Sequence, residues 1–159
     1  MPLRIRAGVA ASLALIAISA AAVASSYGDP SALTVTPLAN ATLAGPVHIK
    51  HGGVQIDTRG PRDTLVARLD FADGGTTGWH THPGPVIVAV ASGTLVLHHP
   101  TRNGGCTTET FGPGTGFIEE GGDIHEAIAA DGPAVVYTTF LAGPETTNYL
   151  VPVPAPAGC

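Results

Sequence analysis

The chain has 159 residues, of which 12 % are charged, with a formal net charge of −5 and many glycines (21) and prolines (14). That length allows one domain with a real hydrophobic core, and the acidic balance, with no basic run, argues against nucleic acid or an anionic membrane as a partner. An apolar fraction of 44 % excludes a disordered chain, and so much glycine and proline suits short strands joined by tight turns.

Residues 1–24 stand apart. Arg4 and Arg6 precede an apolar stretch from Ala7 to Val23, and Ala22-Val23-Ala24 closes it. This is the charge, core and small-residue pattern of a secretory signal peptide, with the cut expected after Ala24. A retained anchor is the alternative, although the stretch falls short of the ~20 apolar residues a bilayer requires. After cleavage 5 basic residues face 12 acidic ones, a charge of −7. The expected product is secreted or extracytoplasmic, with no stable membrane insertion. It spans 25–159 as a single domain, with a core over about 32–142 and a proline-rich tail. Two cysteines remain, Cys106 and Cys159. In an oxidising compartment an even pair favours a disulfide, and this one would pin the tail to the body. Two unpaired thiols are the alternative.

From residue 32 the pattern is strand and turn. Residues 32–39, 46–51 and 53–59 are short and β-prone. Residues 63–71 alternate, with Leu65, Ala67, Leu69 and Phe71 on one face and Thr64, Val66, Arg68 and Asp70 on the other, the period of a half-buried strand. Residues 79–82 are extended and end at Pro83-Gly84-Pro85. The apolar run 86–92 reads as a strand covered on both faces, with Gly93 opening a tight hairpin to 94–99. Further strands are expected at 106–111, in short pieces over 112–132, and at 134–142. No segment after residue 24 shows a 3.6-residue apolar period. The fold class is therefore all-β, a sandwich or barrel of about ten short strands.

The chemistry lies with the histidines. In an extended segment residues i and i+2 share a face, so His80 and His82 point the same way and can reach one metal ion. His125 lies in "GTGFIEEGGDIHEA", residues 114–127. His98 and His99 end a strand, and one of them faces inward. His48 and His51 read as surface residues.

Gly74, His80, His82 and Gly93, followed by Gly114, Gly122 and His125, resemble the two motifs of the cupin superfamily, G(x)5HxH(x)3–4E(x)6G and G(x)5PxG(x)2H(x)3N. The resemblance covers about residues 60–142. It implies a double-stranded β-helix, a jelly-roll barrel, with a divalent metal held by His80, His82 and His125 and a small-molecule ligand or substrate in the barrel mouth. Three positions depart from the pattern: the glutamate of the first motif falls on Val86 or Ile87, the proline of the second on Glu120, and its asparagine on Ala129. Three imidazoles without a carboxylate suit Zn, Fe, Ni or Cu better than Mn. Oxygenase, isomerase or decarboxylase chemistry is what the resemblance implies for an enzyme. Glu119 and Glu120 lie at the turn before His125, and Glu120 is the best available acid or base. A small-ligand-binding cupin without metal, or a durable surface protein, is the alternative. The oligomeric state is open, a homodimer through edge strands being one outcome.

Overall fold

A computed structural model describes residues 30–159; the signal segment expected over 1–24 lies outside the described residues. Apart from a 3-10 turn at Pro30–Ala32, the regular structure is all strand. In chain order the strands are β1 (Leu33–Leu43), β2 (Val47–His51), β3 (Val54–Thr58), β4 (Arg62–Phe71), β5 (His80–Thr81), β6 (Val86–Pro100), β7 (Cys106–Phe111), β8 (Gly116–Glu119), β9 (Glu126–Ala142) and β10 (Val151–Pro152). A six-stranded sheet runs β1-β4-β9-β6-β7, with β8 pairing β6 beside it. The pairs β2-β3 and β5-β10 stand off this sheet, and every pairing is antiparallel.

The expected strand at 63–71 is β4, and its alternation buries Ala67, Leu69 and Phe71. Two expectations change. The apolar run of β6 is covered on one face only: Val86, Val88 and Val90 are buried, while Ile87 is 48 % exposed. Gly93 also does not turn the chain. Residues 86–92 and 94–99 form one continuous strand, and so do the pieces on either side of Asp131-Gly132 in β9.

The two long strands pair along their length and shift register together, between Val90 and Ser92 and between Ser92 and Thr94. Gly93 (φ 76°), Asp131 (φ 59°) and Gly132 (φ 114°) supply the left-handed residues of this irregularity. A Cβ on Gly93 would collide with the Pro133 carbonyl and with Ala134. Local turn chemistry here makes a bulge, which bends a strand without ending it. The bend lets β6 and β9 curl around a common core of Leu69, Val88, Leu95, Leu97, Val136 and Phe140. At the far end of the chain Cys159 is disulfide-bonded to Cys106 at the start of β7.

Candidate metal centre

The centre is assembled where β5 meets the start of β9. His80 and His125 form an antiparallel bridge, with His80 N donating to the His125 carbonyl at 3.0 Å and His125 N to that of His80 at 3.1 Å. His82, two residues along the extended segment, falls on the same side. Two glycines let the backbones close around it. A Cβ on Gly84 would strike the Leu141 carbonyl, and one on Gly121 would lie 2.8 Å from the Gly84 Cα. The turn before His125 thus packs directly on the segment after His82, and Gly122 N donates to the His82 carbonyl at 2.9 Å.

All three rings are buried, at 3 %, 4 % and 0 % exposure for His80, His82 and His125. One donor nitrogen of each lies within 4.8 Å of the others. Nε2 of His82 is 3.2 Å from Nε2 of His80 and 3.1 Å from that of His125. Donors at right angles around an ion about 2.1 Å away stand about 3.0 Å apart, and tetrahedral donors about 3.4 Å. These two spacings fit either.

The opposite edge of each ring faces a backbone carbonyl: His80 Nδ1 at 2.8 Å from Gly78 O, His82 Nδ1 at 2.6 Å from Tyr149 O, and His125 Nδ1 at 3.1 Å from Asp123 O. A carbonyl only accepts, so each Nδ1 carries the hydrogen, and in the neutral ring Nε2 is left as a lone pair. Burial, helped by the neighbouring His125, pushes His80 down to about 4, so it is neutral at pH 7.

Glu119 is the residue that sequence reasoning placed second to Glu120. Glu120 is exposed in the turn, whereas Glu119 at the end of β8 is 8 % exposed. Its Oε2 is 3.0 Å from His82 Nε2 and its Oε1 is 3.1 Å from His125 Nε2. Burial alone would raise the carboxyl, but donation from His125 and His82, which those rings make at Nε2 only when protonated, outweighs it and brings it down to about 2. The signal available in the sequence was parity with Phe117, because alternate residues of a strand share a face. His99 is the inward member of its pair, its ring centroid 5.8 Å from that of His125, and burial lowers its pKa. His48 lies on the outer β2-β3 hairpin, 3.2 Å from Asp57.

The C-terminal tail crosses this centre. β10 pairs with β5, matching Val151 to Thr81 and Pro152 to His80, and Val153 N donates to the Trp79 carbonyl at 3.0 Å. Tyr149, whose carbonyl holds His82, is itself buried. Beside the histidines lies a largely apolar cleft lined by Leu69, Phe71, Val88, Phe117, Phe140 and Leu150. Its free volume is about 30 Å³, room for about one water molecule and far below the ~300–1,000 Å³ of ligand pockets.

No family model matches the chain, and no curated protein matches it. Similar solved structures include recombinant oxalate oxidase in complex with glycolate, at 24 % identity over 48 % of this chain and 41 % of that one, with a TM-score of 0.44. A cupin superfamily protein from Desulfitobacterium hafniense DCB-2 is similar at 13 % identity, over 65 % of this chain and 79 % of that one, with a TM-score of 0.45. The polyketide cyclase RemF from Streptomyces resistomycificus is similar at 18 % identity, over 58 % and 61 % of the two chains, with a TM-score of 0.47. The chain spans less than half the length of the oxalate oxidase structure it matches. By its own curled antiparallel sheet, with His80 and His82 at β5 meeting His125 ahead of β9, the chain has the cupin-type fold that its two motifs resemble.

Proposed function

We propose that residues 25–159 form a single exported cupin domain that binds one divalent metal ion through His80, His82 and His125. A small molecule would enter the adjoining apolar cleft. One observation carries the metal reading: with every Nδ1 committed to a carbonyl, three Nε2 lone pairs converge in a site that water barely reaches. Converging acceptors repel unless a cation lies between them. The carbonyls of Gly78, Tyr149 and Asp123 fix the tautomers, a role that backbone oxygens commonly play behind metal-bound histidine.

A divalent ion held this way supplies a Lewis acid with coordination positions left for a ligand. The chain's own residues do the rest. Phe71, Phe117, Phe140 and Leu150 nearly fill the cleft, so a ligand with a donor atom turned towards the histidines would have to displace some of these side chains. Export is supported by the signal pattern of residues 1–24 and by the Cys106–Cys159 bond, which persists in oxidising compartments.

Metal analysis and calorimetric titration of the purified chain 25–159 test this reading. We expect one equivalent of metal in the wild type and its loss in His82→Ala. Absence of metal from both would replace it with the metal-free ligand-binding reading. Export predicts a mature protein beginning near Ser25 outside the cytoplasm.

A further inference from the structure

We propose that Glu119 is a fourth protein ligand of this centre, supplying from across a strand pair the carboxylate that the first motif lacks. The proposal rests on the metal reading above and extends it.

The motif places an acid at position 86 or 87; of the two, Val86 is the inward one, 1 % exposed, while Ile87 is 48 % exposed. In the β6-β8 ladder the residue paired with Val86 is Glu119. Directly opposed residues of an antiparallel pair project to the same face, with Cβ atoms about 4.5–5.5 Å apart. A carboxylate moved from position 86 to position 119 therefore still enters the barrel beside the same histidines. The strand enforces that direction: Ile118 is 68 % exposed on the outer face, so Glu119 faces in.

The contacts match the role. The two carboxylate oxygens divide between His82 and His125, one facing each Nε2. Among the described residues no lysine or arginine pairs with Glu119; the groups facing its carboxylate are these two histidines. A buried carboxylate needs a positive partner, and a neutral imidazole with its one hydrogen at Nδ1 offers Nε2 only as a lone pair. A divalent ion satisfies the carboxylate and the three lone pairs together. The turn after Glu119 is held against the His82 segment by the Gly122–His82 hydrogen bond and the Gly121–Gly84 contact, which fixes the carboxylate in place. A set of three imidazoles and one carboxylate is harder than imidazoles alone and admits Mn²⁺ and Fe²⁺ alongside Zn²⁺.

The test is titration of the metal-free chain 25–159 with Mn²⁺ and Zn²⁺, in the wild type, Glu119→Gln, Glu119→Val and the double variant Val86→Glu/Glu119→Val. Glu119→Gln keeps the shape and removes the charge. It should weaken binding at least about tenfold, more for Mn²⁺ than for Zn²⁺, and change the Mn²⁺ paramagnetic resonance spectrum. The double variant, which returns the carboxylate to position 86, should recover most of the affinity lost in Glu119→Val. Wild-type affinity for both ions in Glu119→Gln would overturn the proposal. So would a double variant that folds by circular dichroism yet binds no better than Glu119→Val. A wild type that binds neither ion would remove the metal reading itself, whereas tight wild-type binding with an indifferent Glu119→Gln would remove only the fourth ligand.

Discussion

Opening the Cys106–Cys159 disulfide should loosen the histidine centre from a distance. The bond joins residues 53 apart in sequence. In the chain-entropy treatment, closing a loop of that size removes about 14 cal/mol/K from the unfolded ensemble, or about 4 kcal/mol at 25 °C before any native strain is subtracted. That is a large share of the roughly 5–15 kcal/mol that holds a domain folded. The same bond anchors the tail whose Tyr149 carbonyl accepts from His82 Nδ1 and whose β10 pairs with β5. With the anchor open, the tail docks only through those pairings and the burial of Tyr149. For part of the time His82 then lacks the carbonyl that fixes its tautomer. Loss of such a partner costs about tenfold in metal affinity. Urea melts and Zn²⁺ titrations with and without reductant measure the two effects separately. Cys159→Ser should behave like the reduced protein, and Cys106→Ser/Cys159→Ser should ignore the reductant. If reduction lowers stability and leaves the metal affinity untouched, the tail does not depend on the disulfide for its place over His82, and the reasoning fails.

Acid should unfold the metal-free protein by a route set at the centre. His80 is held at about 4 in the fold against 6.5 in the unfolded chain, so between those values only the unfolded chain takes up the proton. Stability therefore falls from about pH 6.5 to pH 4 by up to about 3 kcal/mol. Glu119, at about 2 against 4.5, continues the fall at lower pH; urea midpoints from pH 7.5 to pH 4 check this, and a flat profile contradicts it. Gly84→Ala should destabilise by more than about 2 kcal/mol, because its Cβ meets the Leu141 carbonyl, and it should weaken metal binding by displacing His82; an unchanged melting temperature would count against the close approach. Leu97→Ala, at a site 2 % exposed, should cost about 2–5 kcal/mol while the folded fraction keeps its metal stoichiometry.

What the sequence by itself determined was carried by periodicity and spacing. The alternation of residues 63–71 gives β4 its buried face, and the i, i+2 relation puts His80 and His82 on one side, because a strand repeats every two residues whatever surrounds it. With Cys106 and Cys159 the only cysteines, a disulfide had one pairing available. Tertiary structure decided the rest. Gly93 and Asp131-Gly132 have the local chemistry of turns; they are bulges because β6 and β9 continue to pair on both sides of them. The run from Val86 to Val90 is apolar throughout, yet only its inner face found cover. For the choice between Glu119 and Glu120 local reasoning offered only the parity of Glu119 with Phe117; the register against Val86 decides which one points in. Chain order likewise could not show that Tyr149, from the tail, closes over His82. Spacing along a strand is a local property, but the partner across it is set by where the chain returns.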